Sequence, residues 1–145
     1  MKAKIGVMSE ELVRGMFLSV AKGTFKIDAD VPKVWYSSLN ALAQVLRPEN
    51  IELLNIIETE KPESMTELAE LTGRARSNLS ATMKKLSDKG FARVEKQGHN
   101  ISKPIAIFTE FEIVAGRELE DRVKTAMTAA DLQLPATYAE RKYAA

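Results

Sequence analysis

The chain contains no cysteine, which excludes disulfides and thiolate metal sites. It carries one histidine, His99, and one tryptophan, Trp35. A lone histidine leaves little material for imidazole-based catalysis or metal binding. His99 also falls within Gln97-Gly98-His99-Asn100, a turn signal. A solvated residue, or one touching phosphate or a minor groove, is expected there rather than a general base. No glycine-rich phosphate loop and no metal-ligand spacing is present. The neighbouring carboxylates Glu10/Glu11 and Glu67/Glu70 read as helix-start and solvated-face residues, without the pocket a catalytic pair needs. No apolar run is long enough to span a bilayer. The leading stretch MKAKIGVMSEELVRG lacks the continuous apolar core of a secretion signal. These absences point to a cytoplasmic protein that is not an enzyme and uses neither cofactor nor metal.

What is there suffices for one compact unit: 145 residues, 45% of them hydrophobic. The formal net charge is only +1, but the charge is unevenly placed. Residues 48–72 hold seven glutamates against one lysine, a local −6. Residues 74–103 hold eight cations against Asp88 and Glu95, a local +6. Local charge, rather than the total, sets the electrostatic footprint on a polyanion.

The basic stretch coincides with the most structured motif. Ser64-x-x-Glu67 ahead of an apolar pattern is a capping box, so a helix should begin near Met65 and bury Met65, Leu68 and Ala69. Gly73 supplies the left-handed freedom that ends it. A second helix is expected from about Arg76 to Lys89, with Leu79, Thr82, Met83 and Leu86 as its inner stripe. Gly90 should stop it. Phe91 to Lys96 then alternates like a strand, and residues 97–100 read as a turn. Lys103 to Phe108 (KPIAIF) reads as the returning strand, with Pro104 marking an edge. Helix, tight turn, helix and hairpin together spell a winged helix-turn-helix. The expected fold is mainly α with a small β-hairpin, extended by N- and C-terminal helices.

The outer face of the second helix carries Ser77, Ala81 and Lys84, flanked by Asn78, Ser80 and Lys85. Small and hydroxyl side chains allow close approach to base edges. Asparagine can pair with adenine, and lysine reaches phosphate or guanine. A polar outer face is also what any surface helix shows, and many winged helices make only protein contacts. The local charge favours DNA. On this reading Arg74, Arg76, Lys84, Lys85, Arg93, Lys96, His99 and Lys103 face the phosphates of double-stranded DNA.

The segments "PKVWYSSLNALAQVLRPENIELL" and "LAELTGRARSNLSATMKKLSDKGF" resemble the MarR-like winged-helix transcriptional regulators. The likeness is to the small helix-turn-helix proteins of prokaryotes and mobile elements, and it covers roughly residues 30–113. The resemblance implies base-reading positions at Arg76, Ser77, Asn78, Ser80, Ala81 and Lys84. Ala81 stands where relatives often carry arginine. Some such proteins resemble antitoxins that repress their own operon, so a toxin-like protein partner is implied as an alternative.

The flanking segments read as dimer-building parts. Ser9 with Glu10 and Glu11 should cap a helix with Leu12, Val13, Met16, Phe17, Val20 and Ala21 as its apolar stripe. Residues 23–33 read as a loop. Pro32 is expected to open a helix carrying Trp35, Leu39, Leu42 and Leu46, and Pro48 the next one. Glu112 to about Leu134 reads as helix, with a narrow seam at Leu119, Val123, Ala126 and Ala130. The final residues ATYAERKYAA have little core-forming content and are expected either to be loose or to order on a partner. The expected organisation is a dimerising segment at 1–47, a DNA-binding domain at 48–112, and a dimer- or partner-binding segment at 113–145. The expected function is a homodimeric, sequence-specific DNA-binding regulator, a repressor or autorepressor. An antitoxin or adaptor working through protein contacts is the alternative.

Overall fold

Residues 1–136 are described in the computed structural model of the chain, and they form a mixed α/β arrangement. In chain order the elements are β1 (Lys2–Val7), α1 (Glu10–Ala21), β2 (Val34–Tyr36), α2 (Leu39–Val45), α3 (Pro48–Glu60), α4 (Met65–Thr72), α5 (Arg76–Asp88), β3 (Ala92–Lys96), β4 (Ser102–Ala106), β5 (Glu110–Ala115) and α6 (Arg117–Ala129). They divide into two compact units. One joins Met1–Ala3 to Asn40–Glu112, and the other joins Lys4–Leu39 to the described residues from Ile113 to Ala136. The tail from residue 137, expected either to be loose or to order on a partner, lies outside the described residues.

The unit built on residues 40–112 follows local sequence rules closely. Pro48 occupies the first turn of α3, where its missing N–H costs no helical bond. The buried Asn50 donates through Nδ2 to the Val45 carbonyl at 2.8 Å, tying the end of α2 to the start of α3. Lys61 ends α3 in the left-handed region. Leu53, Leu54, Ile57, Met65, Leu68, Leu79, Met83, Leu86 and Phe91 are all buried. Each such side chain contributes roughly 1.5–3 kcal/mol by leaving water. Phe91 anchors the hairpin base. Its ring meets Phe108 and Phe111 edge-on, with centroids 6.5 and 5.4 Å away, the orientation that aromatic quadrupoles favour.

In the other unit β1 pairs in parallel with β2, in the register Ile5↔Val34, Gly6↔Trp35 and Val7↔Tyr36. The sheet order is β2-β1-β5. A parallel pair needs a long crossover, which α1 and the following loop supply. Helices α1 and α6 pack around Met8, Leu12, Met16, Phe25, Val123, Ala126 and Met127. Gly15 permits this approach, because a Cβ there would collide with the Met127 side chain. Thr24 Oγ1 donates to the Ala126 carbonyl at 2.9 Å, which also accepts the Ala130 N–H, and Lys22 Nζ donates to the Ala130 carbonyl at 3.2 Å.

Three expectations are corrected. The chain is mixed α/β rather than mainly α, because β1, β2 and β5 add a sheet beside the expected hairpin. Residues 34–36 are strand, not the start of a helix from Pro32, and helix resumes only at Leu39. Val-Trp-Tyr is β-branched and aromatic, which suits a pleated surface better than a helix turn. The segment expected as helix from Glu112 begins instead as β5, and α6 starts at Arg117 after Gly116, whose φ of 130° breaks the helix. The hairpin β3–β4, by contrast, lies where the alternation puts it, antiparallel with Val94 opposite Pro104.

Candidate nucleic-acid interface

The positioning unit is α4, a three-residue turn and α5. Ser64 Oγ accepts from the Glu67 N–H at 3.0 Å, capping α4. The reciprocal bond is displaced by one residue: Glu67 Oε2 accepts from the Glu63 N–H at 3.0 Å. Gly73, at φ 70°, ends α4 and donates its N–H to the Ala69 carbonyl. Thr72 stiffens the turn. Its hydroxyl donates to the Leu68 carbonyl at 2.9 Å and accepts from the Arg74 N–H at 3.3 Å. Helix α5 then starts at Arg76, after the cap residue Ala75, which makes no side-chain bond to the first turn.

The orientation of α5 is fixed by what it buries. Leu79, Met83 and Leu86 point inward, with Thr82 half-buried beside them. The face left to solvent carries Arg76, Ser77, Asn78, Ser80, Ala81, Lys84 and Lys85, every one exposed. Phe91, whose N–H donates to the Leu86 carbonyl at 2.9 Å, joins the end of α5 to the hairpin. At the hairpin tip Gln97 N–H donates to the Ile101 carbonyl, and Ile101 N–H to the Gly98 carbonyl, both at 2.8 Å. Gly98 and Asn100 adopt positive φ of 85° and 62°, the left-handed region that glycine and asparagine enter most readily.

The cations named from the sequence are not equally available. Arg74 is half-buried and donates through Nη2 to the Glu49 carbonyl at 3.1 Å. Lys85 Nζ donates to the Gln44 carbonyl at 3.2 Å. Lys84 pairs with Asp88 at 3.2 Å, Arg93 with Glu95 at 2.9 Å, and Lys103 with Glu63 at 3.6 Å. Arg76, Lys96 and His99 are exposed and take no bonded partner among the described residues. The three ion pairs involve largely exposed groups, so each is worth about 0–1 kcal/mol and yields readily to a stronger anion. Arg74 and Lys85 act first as struts between helices.

The i,i+4 spacing of Lys84 and Asp88 was a readable signal for that pair. The contacts of Arg74 with Glu49, Lys85 with Gln44 and Lys103 with Glu63 join residues far apart in the chain, and no local pattern announces them. Among the described residues no group of three His, Asp or Glu side chains is arranged to hold a metal ion, and no helix is long and apolar enough to cross a membrane.

Residues 45–113, just under half of the chain, match the model of the family HVO_A0114. The matched span takes in α3, α4, α5 and the hairpin, the elements that hold the exposed polar face. No curated protein matches the chain.

Proposed function

We propose that the chain is a sequence-specific double-stranded DNA-binding regulator of the winged helix-turn-helix type, akin to the MarR-like proteins, and a homodimeric repressor of its own or a neighbouring promoter. The observation that carries this reading is the exposed face of α5. It holds Arg76, Ser77, Asn78, Ser80, Ala81 and Lys84 and no large aliphatic side chain. In this reading α5 enters the major groove. Asn78 reads adenine through N6 and N7, and Arg76 reads guanine or clamps a phosphate. Each good bidentate contact discriminates by about 1–3 kcal/mol. Lys84 exchanges Asp88 for a phosphate. Residues 91–108 form the wing, with Lys96 and His99 against the backbone or the minor groove and Arg93 and Lys103 as secondary contacts. Two copies address half-sites about one helical turn apart.

The test is fluorescence-anisotropy binding to the DNA upstream of the coding sequence, against a scrambled duplex, over a salt series. Preference for the upstream sequence, with log K falling by roughly 0.9 per phosphate contact for each tenfold rise in salt, is the expected result. Equal affinity for both duplexes, or none at low salt, would replace this reading with the antitoxin or adaptor alternative, in which the same domain meets a protein.

A further inference from the structure

The chain's single tryptophan, Trp35, lines a small cavity that the proposed function does not use. The cavity holds about 290 Å³ and is walled by Met8, Glu10, Val13, Trp35, Tyr36 and Ser37. All six belong to the unit that contains Lys4–Leu39. The pairing of β1 with β2 builds it, and the Met8 N–H extends that pairing by donating to the Tyr36 carbonyl at 3.1 Å. Gly6 stands opposite Trp35 in the register. A Cβ on Gly6 would collide with the indole, so the bare backbone there gives the ring its place. Trp35 and Val13 remain half-buried, while Glu10 and Ser37 are exposed.

The charge of this cavity has one sign. Of the six residues only Glu10 is charged, and no lysine or arginine lines the walls. Tyr36 is a neutral phenol, which burial pushes still further above its ordinary range. Among the described residues no ion pair engages Glu10. Glu10 opens α1, whose N-terminus contributes only about half a positive charge, and Ser9 Oγ already accepts one N–H of that turn, from Leu12, at 3.3 Å. The balance is therefore negative. An indole attracts a cation through its ring quadrupole more strongly than any other aromatic side chain. A cation without N–H groups also leaves no donor unsatisfied against Met8 and Val13. An anion would meet Glu10, and a neutral apolar molecule would leave that carboxylate without a partner. We infer that the cavity binds a small quaternary ammonium ion, with the Trp35 indole against the cation and Glu10 as its counter-charge. The inference is independent of DNA binding.

Titrating the full chain with choline, read by tryptophan fluorescence, tests it. With one tryptophan in the sequence, the signal reports on this cavity alone. A saturable change is expected. The uncharged carbon isostere of choline, with tert-butyl in place of trimethylammonium, should bind at least about tenfold more weakly, because it fills the same volume without the charge. Glu10→Gln should weaken choline binding at least about fivefold. Glu11→Gln removes the neighbouring carboxylate, which does not line the cavity, and should change binding less than about twofold. Trp35→Phe keeps an aromatic ring and should weaken binding, and Trp35→Leu should weaken it further; calorimetry reads both, with circular dichroism as the check on folding. No saturable change with choline, an isostere that binds as tightly, equal effects of Glu10→Gln and Glu11→Gln, or a folded Trp35 variant with wild-type affinity would overturn the assignment. The assay contains no DNA, so such a failure would stand apart from a failure of DNA binding.

Discussion

Helices α5 and α6 have the same length, thirteen residues, and bury themselves by the same rule. Helix α5 hides Leu79, Met83 and Leu86; α6 hides Leu119, Val123, Ala126 and Met127. Their outward faces differ. On α6 the exposed charges balance, Arg117 and Arg122 against Glu118 and Asp121. On α5 the exposed face holds Arg76, Lys84 and Lys85 against Asp88, with Ser77, Asn78, Ser80 and Ala81 between them. Burial is satisfied equally by both helices, so it says nothing about function. The composition of the face that burial leaves over is what the proposed DNA-binding reading rests on.

Phe91→Ala, which removes a fully buried ring from the end of α5 and the base of the hairpin, should cost about 3–5 kcal/mol. Met127→Ala in α6 should cost about 2–5 kcal/mol. Urea unfolding followed by circular dichroism measures both. A cost below 1 kcal/mol for either would mean that its helix is not held as described.

Asn78→Ala should lose roughly 1–3 kcal/mol of affinity for a specific site and relax the preference at one base pair. Thr125→Ala, the polar counterpart on α6, should lose none. Binding to a panel of single-base variants of the site reads the difference, and an unchanged base preference for Asn78→Ala would remove it from the contact set. Ser64→Ala, which strips the cap from α4, should cost about 1 kcal/mol of stability without altering which bases are read. Asp88→Asn frees Lys84. It should cost no more than about 0.5 kcal/mol of stability while tightening DNA binding and steepening its salt dependence. Weaker binding would show that Asp88 does more than hold that lysine.

Legibility in the sequence tracks the range of the interactions. The cap at Ser64, the stop at Gly73, the stripe of Leu79, Met83 and Leu86 and the turn at Gly98 are written in neighbouring residues, and α4, α5 and the β3–β4 hairpin follow from them. Strand β1 is not legible in that way. Lys2-Ala3-Lys4-Ile5-Gly6-Val7 has a strand's alternation, but its partner β2 lies nearly thirty residues on and is only three residues long. Strand β5 is disguised by Glu110 and Glu112, which read more naturally as the acidic start of the helix that follows. The same contrast holds within the candidate site. Periodicity identifies which residues of α5 face outward. It does not reveal that Arg74 and Lys85 are tied to carbonyls on other helices, leaving Arg76 and Lys96 as its untethered cations among the described residues.

The most direct measurement compares two charge-matched variants on the upstream duplex at a single low salt concentration. One is Arg76→Ala with Lys84→Ala on α5, and the other is Arg117→Ala with Lys124→Ala on α6. Both remove two positive charges. The account predicts at least about a tenfold loss of affinity for the α5 pair, from two lost contacts, with wild-type binding by the α6 pair and unchanged folding in both. Equal losses would mean that net charge alone governs binding, and an intact α5 variant would contradict the assignment of that helix to the groove.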